Sequence, residues 1–128
     1  MKIGIIREGK IPIDKRVPLT PKQALLLQQE NNIDLVIQSS TIRCFSDEDY
    51  LKSGLRVVDN VEDCDVILGV KEVQIEDLVE GSTHYFFSHT IKKQAYNRGL
   101  LQAVLEKKIR LIDWETLTNT SGNRLIAF

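Results

Sequence analysis

No nucleotide loop can be recognised in this chain. Neither G-x-G-x-x-G nor G-x-x-x-x-G-K-[ST] occurs, and the seven glycines are scattered, which excludes a recognisable dinucleotide or phosphate cradle. Cysteine is scarce. Cys44 and Cys64 form no C-x-x-C and have no histidine near them, so neither a disulfide framework nor a zinc site is indicated; the expectation is two reduced thiols in a cytoplasmic protein. An excess of one charge is also missing. Seventeen Lys and Arg against eighteen Asp and Glu leave a net charge of -1, so bulk charge points to neither nucleic acid nor an anionic membrane as partner. The longest apolar runs fall far short of a bilayer span. The opening "MKIGII" runs straight into structured-looking sequence without a signal- or transit-peptide pattern. Internal repeats, low-complexity tracts and inter-domain linkers are absent too.

What is present reads as one α/β domain over residues 1–128, long enough to bury a core. Short β-branched runs alternate with helical patterns. Strands are predicted at residues 2–8 (KIGIIRE), 34–40 (DLVIQSS), 55–60 (LRVVDN), 64–72 (CDVILGVKE), 83–89 (THYFFSH) and 108–115 (KIRLIDWE), with a last one in "RLIAF". "LTPKQALLLQQENN" carries a helix start, with Thr20 as N-cap, Pro21 at the first position and Gln23 three residues after the cap. "FSDEDYLKSG" reads as a short helix capped by Ser46, acidic in its first turn and stopped by Gly54. Residues 92–107 read as a longer helix with Tyr96, Leu100, Ala103, Val104 and Lys107 on one face. Strands apolar on both faces, alternating with helices, imply a mainly parallel sheet covered by helices. The chain stops inside an apolar strand, which predicts a cut from a longer protein, a short natural chain being the alternative.

Open parallel sheets bind ligands beyond the carboxyl ends of their strands. There the sequence delivers Arg7, Glu8 and Arg16, then Gln38, Ser39, Ser40 and Arg43, then Lys71 and Glu72, then His89, Thr90, Lys92 and Lys93, and finally Glu115. Taken singly, each has a plainer reading. A lone histidine at a strand end is a turn residue, Lys71 a solvated loop lysine, Arg16 the partner of Asp14 or Glu8, and Lys92 and Lys93 a solvated helix start that opposes the dipole. His84 reads as structural or exposed, and Tyr85, Phe86, Phe87 and Trp114 as core. The convergence of Arg16, Lys71 and His89 on one edge is what favours a site.

"KRVPLTP" (15–21), "VILGVKE" (66–72), "FFSHTIKKQ" (86–94) and "IRLIDWE" (109–115) resemble, in order and over essentially the whole chain, the N-terminal domain of the alanine dehydrogenase / pyridine nucleotide transhydrogenase superfamily. Within it the similarity is greatest to the saccharopine dehydrogenase branch, the lysine–2-oxoglutarate reductase half of aminoadipate semialdehyde synthase. "PIDKR" departs from that branch, which usually carries a tryptophan and a glutamate there. The resemblance implies two Rossmann-like domains with a cleft between them. This chain would supply the three-layer substrate and catalytic domain, and NAD or NADP would be bound mainly by a second domain absent from it. The isolated chain is then expected to be inactive and to bind NAD(P) weakly.

The resemblance also implies Lys71 and His89 as the catalytic pair and Arg16 as a ligand of substrate carboxylate; Arg43 and Glu115 complete the substrate-binding set. The residue types suit reductive amination of a keto acid in lysine metabolism. Histidine moves protons near neutral pH, a lysine polarises a carbonyl or imine, and an arginine fork holds a carboxylate. The partners implied are small amino-acid and keto-acid substrates and the NAD(P)-binding domain, with a homo-oligomer allowed. Two alternatives stay open: an alanine dehydrogenase-type enzyme acting on alanine and pyruvate, and a non-catalytic α/β module that binds a carboxylate or a partner chain.

Overall fold

A computed structural model describes residues 1–126. Six strands form one parallel sheet: β1 Lys2–Ile5, β2 Asp34–Gln38, β3 Arg56–Val58, β4 Val66–Leu68, β5 Thr83–Phe86 and β6 Arg110–Asp113. Their spatial order is β3-β2-β1-β4-β5-β6. The chain therefore winds outward from β1 in one direction, returns to its other side, and winds out again. This is a doubly wound, Rossmann-like topology, and its switch point lies between β1 and β4.

Alternation along the strands builds three layers. Ile3 and Ile5 of β1 and Leu35 and Ile37 of β2 face α1 (Pro21–Asn31) and α2 (Asp47–Lys52), packing with Ala24, Tyr50 and Leu55. Val36, Ile67 and Phe86 face the other way, toward Leu100, Ala103 and Val104 of α3 (Arg98–Glu106). Gly4 occupies the β1 position under this second layer. A Cβ there would lie 2.8 Å from Val61 Cγ1 and 2.9 Å from Cys64 Sγ. Overpacking of that kind costs about 1–3 kcal/mol, so Gly4→Ala should lower the urea midpoint with an unchanged m-value. A midpoint equal to that of the parent chain would mean that the Val61–Cys64 loop yields freely.

The first two helix starts are those expected from the sequence. Thr20 Oγ1 accepts the Gln23 N–H (3.3 Å) and Gln23 Oε1 accepts the Thr20 N–H (3.0 Å), with Pro21 in the first turn. Ser46 and Asp49 repeat the reciprocal cap on α2, and Gly54, at φ 89°, ends it. Other expectations need correction. The strands are shorter than predicted, each ending two to four residues before its predicted carboxyl end. The helix expected over 92–107 begins only at Arg98. Residues 90–92 and 95–97 form single 3₁₀ turns, since His89 (φ 58°) and Lys93 (φ 53°) are left-handed and cannot join an α-helix. Tyr96, expected on one helical face with Leu100, Ala103 and Val104, lies before the helix and is 69% exposed. Of "RLIAF", Arg124 makes one antiparallel bridge to Thr118, Leu125 and Ile126 are bends, and residues 127–128 lie outside the described region. His84 is fully buried.

Candidate active site

At the switch point, Glu8 leaves β1 and crosses to the loop after β4. Its two carboxylate oxygens accept the N–H groups of Val70 (2.7 Å) and Lys71 (2.9 Å), which orients the lysine. Burial pushes the Glu8 carboxyl up from its ordinary range, against those two bonds, and the nearby Asp14 adds to the rise. Among the described residues no carboxylate lies within ion-pairing distance of the Lys71 ammonium. Arg16 is forked onto Asp14, with Nε at 3.0 Å and Nη2 at 2.6 Å from its oxygens. These bonds hold the Asp14 carboxyl down at about 2, and the charge of Lys71 acts in the same direction.

Arg16 stands on the wall of a cleft of about 390 Å³ whose other walls include Phe45, Val70, Phe87 and Trp114. Trp114, expected in the core, lines this cleft instead and donates its indole N–H to the Gly69 carbonyl (2.8 Å). Phe87 stacks on the His89 ring, with centroids 6.5 Å apart and planes 26° from parallel. The structure thus places Arg16 in the cleft, Lys71 directly after the lining residue Val70 and His89 two residues after the lining residue Phe87. All three lie at the carboxyl edge of the sheet.

His89 Nδ1 lies 3.3 Å from Glu115 Oε2. The other oxygen of Glu115 accepts from Arg124 Nη2 (2.8 Å) and lies 3.8 Å from Lys92 Nζ. The Glu115 side chain is only 12% exposed, so two cations and an imidazole meet one nearly buried carboxylate, and the buried carboxylate of Asp113, bonded to the Glu115 and His89 N–H groups, balances the second cation. Arg43 is placed differently from these groups. Its side chain is 4% exposed, donates to the carbonyls of Phe45 (2.7 Å) and Gln38 (2.6 Å), pairs with Asp47 and lies over the Tyr50 ring. These partners fix the loop between β2 and α2.

Sequence reading missed the contributions of Glu8, Asp113, Asn97 and Arg124. Asp113 binds the turn at Ser88–His89, and Asn97 donates to the His89 carbonyl (3.2 Å). Glu8 and Asp113 carried a usable signal, each being an acid at the end of an apolar strand, where an unpaired charge would be costly. Arg124 carried none, because it was assigned to a strand. Glu72, beside Lys71, is 9% exposed, pairs with Lys10 (2.5 Å) and keeps a buried Oε1 without a hydrogen-bond partner. No group of three metal-ligating side chains occurs among the described residues. Nor does the amino end of α1, where this topology commonly receives a pyrophosphate, fit a nucleotide. Pro21 has no N–H, and the Gln23 N–H is taken by Thr20.

Residues 4–128 match the family described as "Alanine dehydrogenase/PNT, N-terminal domain". The chain belongs to this family. Within the alanine dehydrogenase/PNT N-terminal family it is 37% identical over 126 residues to the mitochondrial alpha-aminoadipic semialdehyde synthase of Rattus norvegicus, covering 98% of this chain but 14% of that protein. It is 32% identical over 133 residues to the L-lysine-forming, NAD(+) saccharopine dehydrogenase of Emericella nidulans, covering 99% and 35%. The chain thus spans about one-seventh to one-third of the length of these relatives. An L-alanine dehydrogenase shares the fold, with TM-score 0.79 at 22% identity over 96% of this chain and 35% of that one. So does a transhydrogenase from Sinorhizobium meliloti, with TM-score 0.79 at 18% identity over 94% and 37%. This is a domain of an amino-acid dehydrogenase family, and no helix among its described residues is long and apolar enough to cross a membrane.

Proposed function

We propose that this chain is the substrate- and proton-handling domain of an NAD(P)-dependent amino-acid oxidoreductase that condenses lysine with 2-oxoglutarate and reduces the product. The observation that carries the proposal is the meeting of Arg16, Lys71 and the His89–Glu115 pair at one sheet edge beside an apolar cleft. Arg16 offers a planar donor for substrate carboxylate. Lys71, its backbone held by Glu8, presents an ammonium to a carbonyl oxygen and stabilises charge that develops there. His89 turns Nδ1 to Glu115, so Nε2 exchanges protons with the amine and the departing water. Arg43 is left out of the substrate set in this proposal, because its guanidinium already serves the loop it sits in.

The likeness to alpha-aminoadipic semialdehyde synthase and to saccharopine dehydrogenase supports lysine and 2-oxoglutarate over alanine and pyruvate. The hydride comes from a nicotinamide cofactor held by a part of the protein other than this domain, consistent with the self-capped α1. The unpaired thiols Cys44 and Cys64 support a reducing compartment such as the cytoplasm.

The test uses the complete gene product. Lysine with 2-oxoglutarate should oxidise NADH or NADPH, whereas pyruvate with ammonium should give under about a hundredth of that kcat/KM, the discrimination expected when charged groups are left unpaired. The opposite preference would make the enzyme an alanine dehydrogenase. Oxidation with neither pair would favour the non-catalytic module. Calorimetry on the 128-residue chain should show no tight NADPH binding.

A further inference from the structure

The pair His89–Glu115 is held by a third carboxylate. Asp113 closes β6 and is 7% exposed. Its Oδ2 accepts from the Ser88 N–H (3.1 Å), the Ser88 hydroxyl (2.6 Å) and the His89 N–H (3.0 Å), and its Oδ1 accepts the Glu115 N–H (2.8 Å). One carboxylate therefore fixes the backbone at both members of the pair. From the far side Asn97 donates to the His89 carbonyl (3.2 Å). Between these two grips His89 sits at φ 58°, a left-handed conformation that an L-residue adopts only when its surroundings impose it. Without the grips, the "TIKKQ" that follows would draw residue 89 toward a right-handed turn and swing the imidazole away from Glu115. One strand pair away, Glu8 holds the N–H groups of Val70 and Lys71 in the same manner. The device thus recurs where the other candidate catalytic side chain leaves the sheet.

We propose that Asp113 is the positioning residue of the proton-transfer pair: it sets the direction of the His89 ring and its distance from Glu115, and it acts through those two without touching substrate. The inference rests on the reading that His89 moves the proton. Asparagine is the informative replacement. With its amide oxygen toward Ser88 and His89, its NH₂ faces the Glu115 N–H; flipped, it serves Glu115 and repels the turn. Either way one of the two is released while volume is kept.

In the complete gene product, Asp113→Asn should lower kcat about 10- to 100-fold, the scale of an ångström-sized misplacement, with KM for both substrates within about threefold. The double variant Asp113→Asn/His89→Gln should be no slower than His89→Gln alone, because Asp113 acts through His89. A merely structural Asp113 would instead lower the melting temperature and leave turnover per folded molecule unchanged. Native kcat in Asp113→Asn alongside a damaged His89→Gln overturns the positioning role and leaves the reading of His89 intact, as do losses that multiply in the double variant. Native kcat in His89→Gln is the distinct pattern that overturns that reading, and the positioning role with it. If Asp113→Asn does not fold, Ser88→Ala removes the hydroxyl bond to Asp113 (2.6 Å), together with the bonds of Ser88 Oγ to the Thr90 hydroxyl (2.9 Å) and N–H (3.2 Å), and should cost kcat several-fold; native turnover in that variant overturns the proposal.

Discussion

Replacing His89 with glutamine in the complete gene product should lower kcat by about 100- to 10,000-fold, the usual contribution of a positioned general acid–base group. That is about 3–5 kcal/mol of barrier. Glutamine keeps much of the volume and can donate to Glu115 from its amide, but it cannot shuttle a proton. Cofactor affinity should stay within about twofold, since the proposed nucleotide site lies outside this domain and uniform binding is untouched. The left-handed backbone at residue 89 complicates the comparison, because glutamine is strained there while asparagine tolerates that region. Measuring His89→Asn beside His89→Gln separates the two effects. Equal kcat losses with different melting temperatures assign the loss to the missing imidazole. A structural histidine would give the reverse: lowered melting temperatures with near-native turnover per folded molecule, and Lys71 would remain as the proton-handling candidate.

The second large effect belongs to the other histidine and concerns stability. His84 is fully buried. Ser82 Oγ gives its proton to the Val79 carbonyl (2.8 Å), so it accepts from His84 Nδ1 (3.0 Å), and His84 Nε2 accepts the Val79 N–H (3.4 Å). Both ring nitrogens are thus satisfied only in the neutral tautomer. A proton on Nε2 would set N–H against N–H. Burial, and secondarily the charge of Lys107, push this imidazole down to about 4 from 6.5. Between those values the unfolded chain takes up a proton that the folded chain refuses. Stability from this group is therefore complete above about pH 6.5 and is lost as pH falls toward 4, by about 3 kcal/mol in all. Glu8, whose carboxyl is raised on folding, works in the opposite sense near the bottom of that window. Urea melts from pH 7 to 4.5 should show the loss in the parent chain and a much flatter profile in His84→Gln. Superimposable profiles would remove His84 as the origin.

The sequence made legible whatever is decided locally. Thr20, Pro21 and Gln23 form a cap within one turn, and the structure has that cap bond for bond. The apolar runs around Ile5, Ile37, Ile67, Phe86 and Ile112 needed only their own short, β-branched or aromatic composition to be recognised as strands. Wherever a distant group decides the outcome, the reading fell short. Residues 92–97 have acceptable helix propensity, and it is Asp113 and Asn97, brought there by the fold, that hold His89 left-handed and delay the helix to Arg98. Arg43 has the composition of an anion-binding residue at a strand end, yet Asp47 and two carbonyls claim it. His84 could not be separated from a surface histidine by period alone, because the hydroxyl that satisfies it lies on a turn rather than on the strand face.

The connections at the two edges of the sheet differ in kind. At the amino edge the helix-to-strand links are short, residues 32–33, 53–55 and 107–109, and Asn32, Gly54 and Lys108 turn them with left-handed backbones. At the carboxyl edge the stretches 6–20, 39–46 and 87–97, with the start of the 69–82 crossover, carry every group discussed as chemistry except Glu115 and its neighbours. Errors at the amino edge are therefore errors of folding, and changes at the carboxyl edge are changes of ligand. A descendant of this domain could exchange one rim segment for another and acquire a new substrate while inheriting the same hinge points, strand order and core. In an alignment of such descendants, length variation would gather on one side of the sheet, and the other side would supply the landmarks.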